Sequence, residues 1–438
     1  MKFTLSWLKD HLETAADLQQ ISDTLTAIGL ELEGVHDRGA ELAAFTVAHV
    51  AEARQHPNAD RLKVCLVDTG AERVQVVCGA PNARTGMKGV FAPVGTVIPG
   101  TGLSLKAGKI RGEESNGMLC SEREMGLSDD HEGIIELPGD AEVGRPFAEV
   151  MGLNDPVIDV NVTPNRQDCL GVRGIARDLA AAGLGTLKPF EPEPVVGRFE
   201  SPISVSLDFP AGKEEACSCF VGRYFRGVRN GPSPEWMQRR LRAIGLRPIS
   251  ALVDITNYVT YDLGRPLHVF DADAVKGNIH ARLSRPGETL LALDGRTYTL
   301  DGEVTVIADD EKVEGLGGIM GGEESGCTED TVNVFLEVAL FDPKRTAASG
   351  RKLGIESDAR YRFERGVDPA MVLPGAEYAT GLILELCGGE ASGLVIAGSP
   401  EQPAKVVEFR PARVQALGGM TVDEEEQRRI LGDLGFTI

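Results

Sequence analysis

From residue 40 to residue 137 the chain changes texture, and that block limits the fold more than any other feature. Short β-rich runs (FTVAHV, LKVCLVDTG, RVQVVCGAPN, GVFAPVGTVIPG) alternate with turn signals. Closely spaced short strands of this kind predict a small barrel. The flanks read differently. Leu18, Ile21, Leu25 and Ile28 recur at helical spacing and Gly29 follows, which predicts an amphipathic helix with a glycine stop. Residues 30–35 read as a strand. Residues 157–184 read as strand, loop and helix: Pro164 ends the strand, and Asp168 is a candidate helix cap. At 438 residues the chain exceeds what one core organises, so several domains are expected.

Linkers are expected where proline concentrates, at residues 187–202 and 398–405. Beyond the second, Thr421 and Glu424 have capping-box spacing. Ile430, Leu431 and Leu434 supply an apolar face, and Gly435 can stop the helix. Residues 436–438 then read as the start of a strand, so a further domain is expected to continue past Ile438.

The formal net charge of −21 argues against a general nucleic-acid binder. Positive charge is nevertheless concentrated locally. Residues 221–250 hold seven arginines against one acid, Glu235, and residues 342–366 hold seven lysines or arginines. Either cluster alone is as well explained by a solvated surface. Together they flank the stretch RPISALVDITNYVTYDLGRPLHVFD (247–271), which favours an anionic ligand held locally. Eight cysteines without CxxC or paired His/Cys spacing point to reduced buried thiols and to no metal site. No run of 18 apolar residues occurs, and MKFTLSWLKDHLETAADL is too interrupted by charge for a signal peptide. A cytoplasmic protein without a membrane partner is expected.

Four polar residues stand out between residues 256 and 337: Thr256, Asn257, His268 and, after the glycine-rich loop 315–322, Glu337 within VFLEVALF. No GxSxG, Cys/His pair or Walker motif accompanies them, and GLGGIMGG lacks the GK[ST] ending of a phosphate loop. The loop can bring backbone N–H groups to a ligand or simply cross tightly between strands. The histidine can be a hydrogen-bonded core residue. Glu337, in an apolar run, needs a partner if it points inward, and needs none if it points out.

These segments, with SDARYRFERGVD (357–368), resemble the editing domain of the bacterial phenylalanyl-tRNA synthetase beta subunit. HPNADRLKVCLVDTG, VVCGAPN and KIRGEESNGMLCS with EREMGL resemble the tRNA-binding OB-fold module of synthetase-associated proteins. The resemblance covers nearly the whole chain. It implies a multidomain α+β protein: a discontinuous N-terminal α/β domain (1–39 and 150–190) with an inserted OB-fold β-barrel (40–149), a mixed α+β editing domain (200–398), and the start of a truncated small α/β domain (405–438).

The resemblance also implies functions. The complete enzyme, an alpha2beta2 heterotetramer with an alpha subunit, couples phenylalanine to tRNA(Phe) with ATP and Mg2+. This portion would bind no cofactor itself. It would contribute tRNA contact, subunit packing and hydrolysis of tyrosine wrongly attached to tRNA(Phe). Arg247, Thr256, Asn257 and His268 match family positions around the ester and terminal adenosine. Glu337 matches the glutamate that recognises the tyrosine phenol, and Gly318, Ser357 and Ala359 match the pocket wall. Arg360 departs from the small residue or histidine more usual at its position. In the barrel, one central aromatic, Phe91, leaves little for base stacking, so phosphate contacts through Arg54, Arg61, Lys63, Lys109 and Arg111, with Arg239 outside the barrel, are expected. Two other readings stay open: a free-standing tRNA-deacylating or RNA-binding module, and a structural partner with a degenerate site.

Overall fold

The computed structural model describes residues 1–401 and 405–438. Its contacts divide the chain into two compact units, Val35–Val157 and Met1–Gly34 with Ile158–Ile438.

In the first, strand Thr46–Gln55 lies between Lys63–Asp68 and Lys88–Ala92, and all three are antiparallel. Arg73–Cys78 extends one side, and the short strands Met118–Leu119 and Glu136–Leu137 pair with Lys88–Ala92 on the other. The two ends of this sheet approach each other. Asn116 N–H reaches the Gln75 carbonyl at 2.9 Å, and Val77 N–H reaches Ser115 Oγ at 3.1 Å. The predicted barrel is therefore a sheet curled almost to closure. Apolar clusters fill both faces, one around Val47, Val90 and Phe147, the other around Val50, Val67 and Phe91.

The larger unit is built on a four-stranded antiparallel sheet, in the order His268–Asp271, Asn333–Phe341, Cys217–Arg226, Glu390–Gly398. Successive strand residues face opposite sides. Val334, Leu336, Val338 and Leu340 enter one core with Trp7, Leu252 and Ile383. Phe335, Ala339 and Phe341 enter another with Phe220, Phe270 and Phe363. Burial of both faces explains why VFLEVALF shows no apolar–polar alternation. A second sheet runs Val205–Asp208, Ile279–Leu283, Thr305–Ala308, Val313–Leu316, Met320–Gly321.

The helix expected near residue 18 spans Leu18–Ala27, with Asp17 and Gln20 forming a capping box. The following strand is Glu31–His36. Other local expectations change. Asp168 does not cap helix Val172–Ala181, whose N-cap is Gly171; its carboxylate pairs with Arg166 and Arg177 instead. The helix after residue 420 is Glu424–Asp433, capped by Asp423 rather than Thr421, because Asp423 accepts the Glu426 N–H at 2.9 Å. Residues 436–438 form no strand.

Residues 187–202 are fastened along the larger unit. Val195 N–H donates to Glu377 and its carbonyl accepts from Arg223, while Gly393 N–H donates to the Phe199 carbonyl. One apolar core runs from Phe3 through Ile158 to Ala391, across the boundary expected there. Part of the second expected linker, residues 402–404, lies outside the described residues. Among the described residues one helix, Pro369–Cys387, is long and apolar enough to cross a membrane by length and composition, a property no run of the sequence suggested. Half of that window is buried inside the protein, as in a core helix.

Candidate functional site

Strand register creates the site. His268 and Glu337 are direct partners in the antiparallel pair His268–Asp271 with Asn333–Phe341. Direct partners share a face, with Cβ atoms about 5 Å apart. Phe335, Ala339 and Phe341 occupy alternate positions with Glu337, so the carboxyl stands on an aromatic face. There, His268 and Glu337 line a cavity with about 430 Å³ of empty space, including the part open to solvent. Gly318, Met320, Ala359 and Phe363 supply further wall.

The glycine loop crosses this cavity because two positions lack a Cβ. Gly318 has φ +71°, and a Cβ there would lie 2.9 Å from Phe341 Cδ2. A Cβ on Gly321 would lie 2.4 Å from His268 Cε1 and 2.7 Å from Nε2. Ser357 fastens the loop from the far side. It caps helix Asp358–Phe363 by accepting the Arg360 N–H at 3.0 Å, and its hydroxyl donates to the Ile319 carbonyl at 2.6 Å. Ala359 follows in the first turn of that helix. Arg360, unusual on sequence grounds, turns away to Glu364 and the Ile355 carbonyl.

Burial controls the charges. It pushes Glu337 up to about 8, with the Arg265 guanidinium pulling the other way, and it pushes His268 down to about 4. At neutral pH both side chains are therefore mainly uncharged. His268 Nε2 is shielded from solvent and has no hydrogen-bond partner, while the ring sits edge-on to Phe270 at 4.5 Å. A ligand that supplies a water or hydroxyl to Nε2 and a hydroxyl to Glu337 would satisfy both.

Thus His268, Gly318, Glu337 and Ala359 line one cavity, and Ser357 holds its loop. Arg247, Thr256 and Asn257 do not line it. Residues 251–263 form one helix, Ala251–Leu263, and the Thr256 hydroxyl donates within it to the Val253 carbonyl at 2.8 Å. Arg247 is exposed at a separate depression with Arg242, Ser233 and Asp254. Arg265, fully buried just before Pro266 of the cavity wall, escaped sequence reading. Its only signal was a charged residue within the GRPLHVF run.

On the barrel unit, the His56 ring contacts the Ile110 carbonyl and Asn58 donates to the Arg111 carbonyl, which ties residues 56–58 to the hairpin Gly108–Ile110 and Glu113–Ser115. Arg61, Lys109 and Arg111 are exposed. Arg54 and Lys109 lie 3.7 Å from Glu113 and Glu114 respectively. Lys63 instead serves its own neighbourhood, donating to the Pro81 and Ala83 carbonyls. Phe91 is buried and offers no stacking face. Arg111 has φ +51° and precedes Gly112 at +99°, a two-residue turn with both positions left-handed. Arg239, in the larger unit, pairs with Glu235.

Asp168, Cys169 and Asp178 lie close enough together to hold a metal ion, a set that Cys/His spacing in the sequence did not suggest. Arg166 and Arg177 neutralise both carboxylates.

Two family models match: a "B3/4 domain" over residues 216–388 and a "putative tRNA binding domain" over residues 45–146. Curated relatives match the entire chain. The phenylalanine–tRNA ligase beta subunit of Rhodospirillum rubrum is 61% identical over 439 residues, and that of Cereibacter sphaeroides is 60% identical over 445. The chain is a homologue of phenylalanine–tRNA ligase beta subunits. It spans about 55% of the length of these relatives. A solved N-terminal fragment of the phenylalanyl-tRNA synthetase beta subunit from Pyrococcus horikoshii is a more distant likeness. It is 16% identical with a TM-score of 0.30, covering 64% of this chain and 77% of that one. The B3/4 segment of this beta-subunit homologue contains the whole cavity wall, and its tRNA-binding segment contains Arg54, Arg61, Lys63, Lys109 and Arg111.

Proposed function

We propose that this chain is the N-terminal part of a phenylalanine–tRNA ligase beta subunit and that its cavity hydrolyses tyrosine wrongly esterified to tRNA(Phe). The observation that carries this reading is the shared rung: His268 and Glu337 face one apolar, aromatic-walled cavity, each able to meet a hydroxyl. A synthetic pocket for phenylalanine cannot strongly reject an isostere that adds only a hydroxyl. A second pocket that needs the hydroxyl can. Glu337 accepts the phenol, and a phenylalanyl ring leaves that acceptor unpaired, at a cost of about 1–3 kcal/mol.

In the hydrolysis, water adds to the ester carbonyl carbon, the bond to the ribose oxygen breaks, and that oxygen takes a proton. Free tyrosine and tRNA leave. A general base works best with a pKa near the operating pH. His268, depressed to about 4, is better suited to holding the water through unpartnered Nε2, which fixes the line of attack. A ribose hydroxyl of the substrate can relay the proton. Ala359 leaves room for the ring.

The barrel unit contributes phosphate contacts through Arg54, Arg61, Lys109 and Arg111, and the larger unit contributes its own through Arg239 and Arg247. Such binding weakens with added salt. The complete enzyme, with an alpha subunit in an alpha2beta2 assembly, would supply the ATP- and Mg2+-dependent attachment of phenylalanine in the cytoplasm, chemistry for which this chain provides no recognised motif. The test is hydrolysis of Tyr-tRNA(Phe) against Phe-tRNA(Phe) by this chain and by its Glu337→Gln variant. The expected result is a preference for the tyrosyl ester that the substitution lowers, because glutamine keeps a neutral acceptor but cannot become a carboxylate. Equal rates for the two esters with the unaltered chain would overturn the reading.

A further inference from the structure

We propose that Arg265 is a positioning residue for this cavity: its buried guanidinium, anchored on the Ala339 carbonyl behind the Phe363 wall, favours the carboxylate form of Glu337 as the acceptor when a phenol enters. The inference rests on the reading of Glu337 given above. Arg265 is 1% exposed, one of the largest wholly buried side chains. Nη2 donates to the Ala339 carbonyl, and Cζ lies 5.8 Å from the Phe363 ring centroid. Gly375 leaves room for its stem, since a Cβ there would lie 3.3 Å from Arg265 Cγ. Nε and Nη1 have no partner. A buried cation with two unused donor nitrogens is costly unless an anion compensates it.

The candidate anion is close. Glu337 precedes Ala339, whose backbone carbonyl holds the guanidinium, by two residues on one strand, about 7 Å along it, and Phe363, which the guanidinium approaches, belongs to the aromatic face that carries Glu337. Arg265 is the charge that draws the Glu337 carboxyl down against burial. The other titratable neighbours cannot replace it. Burial keeps the Cys217 and Cys219 thiols protonated and the His268 ring neutral. Asp368 acts on Arg265 more strongly than Glu337 does and helps to hold it charged, but it is absent from the cavity wall that Glu337 lines. Burial draws Arg265 down only to about 10, so it remains a cation through the neutral range. The hydrogen bond from a phenol to a carboxylate is about twice as strong as that to a neutral acid. Selectivity for the hydroxyl would thus depend on a residue that does not touch it.

The test uses two non-hydrolysable amides, tyrosyl- and phenylalanyl-3′-amino-3′-deoxyadenosine, and follows the ratio of their Kd values with pH from about 6 to 9. The ratio cancels ionisations common to both ligands, such as their α-amino groups. In the unaltered chain the tyrosyl preference should rise with pH as Glu337 loses its proton. In Arg265→Met the midpoint of that rise should move up by about 1–3 pH units, the usual effect of an adjacent arginine on a carboxyl, so that little or no rise remains below about pH 9. Arg265→Gln, which keeps a donor for the Ala339 carbonyl but no charge, should behave like Met and decides the matter if Met does not fold. Arg265→Lys should bring the midpoint back towards that of the unaltered chain. Glu337→Gln should show no rise. A folded neutral variant with an unmoved midpoint overturns the role of Arg265. Absence of any tyrosyl preference in the unaltered chain overturns instead the reading of the cavity.

Discussion

Glu337 carries a cost that can be measured without substrate. A carboxyl raised from 4.5 to about 8 by burial favours the folded state while protonated and opposes it once ionised. The stability it contributes is full below pH 4.5 and is lost as pH rises through 8. Each pH unit in this interval is worth about 1.4 kcal/mol, so the loss reaches about 3 kcal/mol at pH 7 and about 5 kcal/mol above pH 8. Glu337→Gln keeps the shape and removes the ionisation. Relative to the unaltered chain, its stability should therefore gain with pH: any gap at pH 4.5 widens in favour of glutamine by about 3 kcal/mol at pH 7. Urea unfolding followed by tryptophan fluorescence suits the purpose, because both tryptophans, Trp7 and Trp236, lie in the unit that holds Glu337. A gap that stays constant from pH 4.5 to 8 would refute the argument that burial raises this carboxyl. A gap that opens while tyrosyl selectivity collapses would show that the protein retains a destabilising acid for what it recognises.

His268 gives the opposite sign. Depressed from 6.5 to about 4, it supports the fold fully above pH 6.5 and withdraws that support as pH falls to 4, about 2–3 kcal/mol that His268→Gln should remove from the acid limb of the same unfolding curves. Gly321→Ala places a methyl group 2.4 Å from His268 Cε1, so it should cost about 1–3 kcal/mol and slow deacylation; normal values for both would mean the loop moves freely. Ala359→Trp should fill the cavity and stop Tyr-tRNA hydrolysis in a protein whose circular dichroism is unchanged, and undiminished activity would place the ring elsewhere. Arg111→Asn should suit the left-handed turn better yet weaken tRNA binding and lower its salt dependence by about one charge, as read from filter binding at several salt concentrations.

Much of this was legible in the sequence, for reasons that differ between residues. The helix Leu18–Ala27 announced itself because one apolar stripe faces one core. The barrel strands did so through frequent turn residues. Glu337 stood out as a single acid in an apolar run, but its direction was ambiguous: a strand buried on both faces loses the alternation that separates inside from outside. The partnership of His268 with Glu337 lay in strand register across 69 positions, which spacing along the chain does not encode. Thr256 and Asn257 were grouped with His268 by family pattern, while the helix that holds them satisfies the Thr256 hydroxyl internally. Asp168 read as a helix cap on local grounds, but the nearby Arg166 and Arg177 take its carboxylate. The boundary expected at residues 187–202 failed to separate two cores because the segment hydrogen-bonds along Glu377, Arg223 and Gly393.

The rung that joins His268 to Glu337 continues to Gly222 and Val395, so four strands from distant parts of the chain meet in a single row. This makes the site indifferent to the length of the connections and intolerant of any change within the strands. Residues can be added between Asp271 and Asn333 without altering the row. One residue inserted between Asn333 and Glu337 would turn the carboxyl to the opposite side of the sheet, among Leu336 and Val338. Variation by insertion is thereby confined to the loops around the cavity, and a family built on this row can diversify its rim while its two central groups keep their distance.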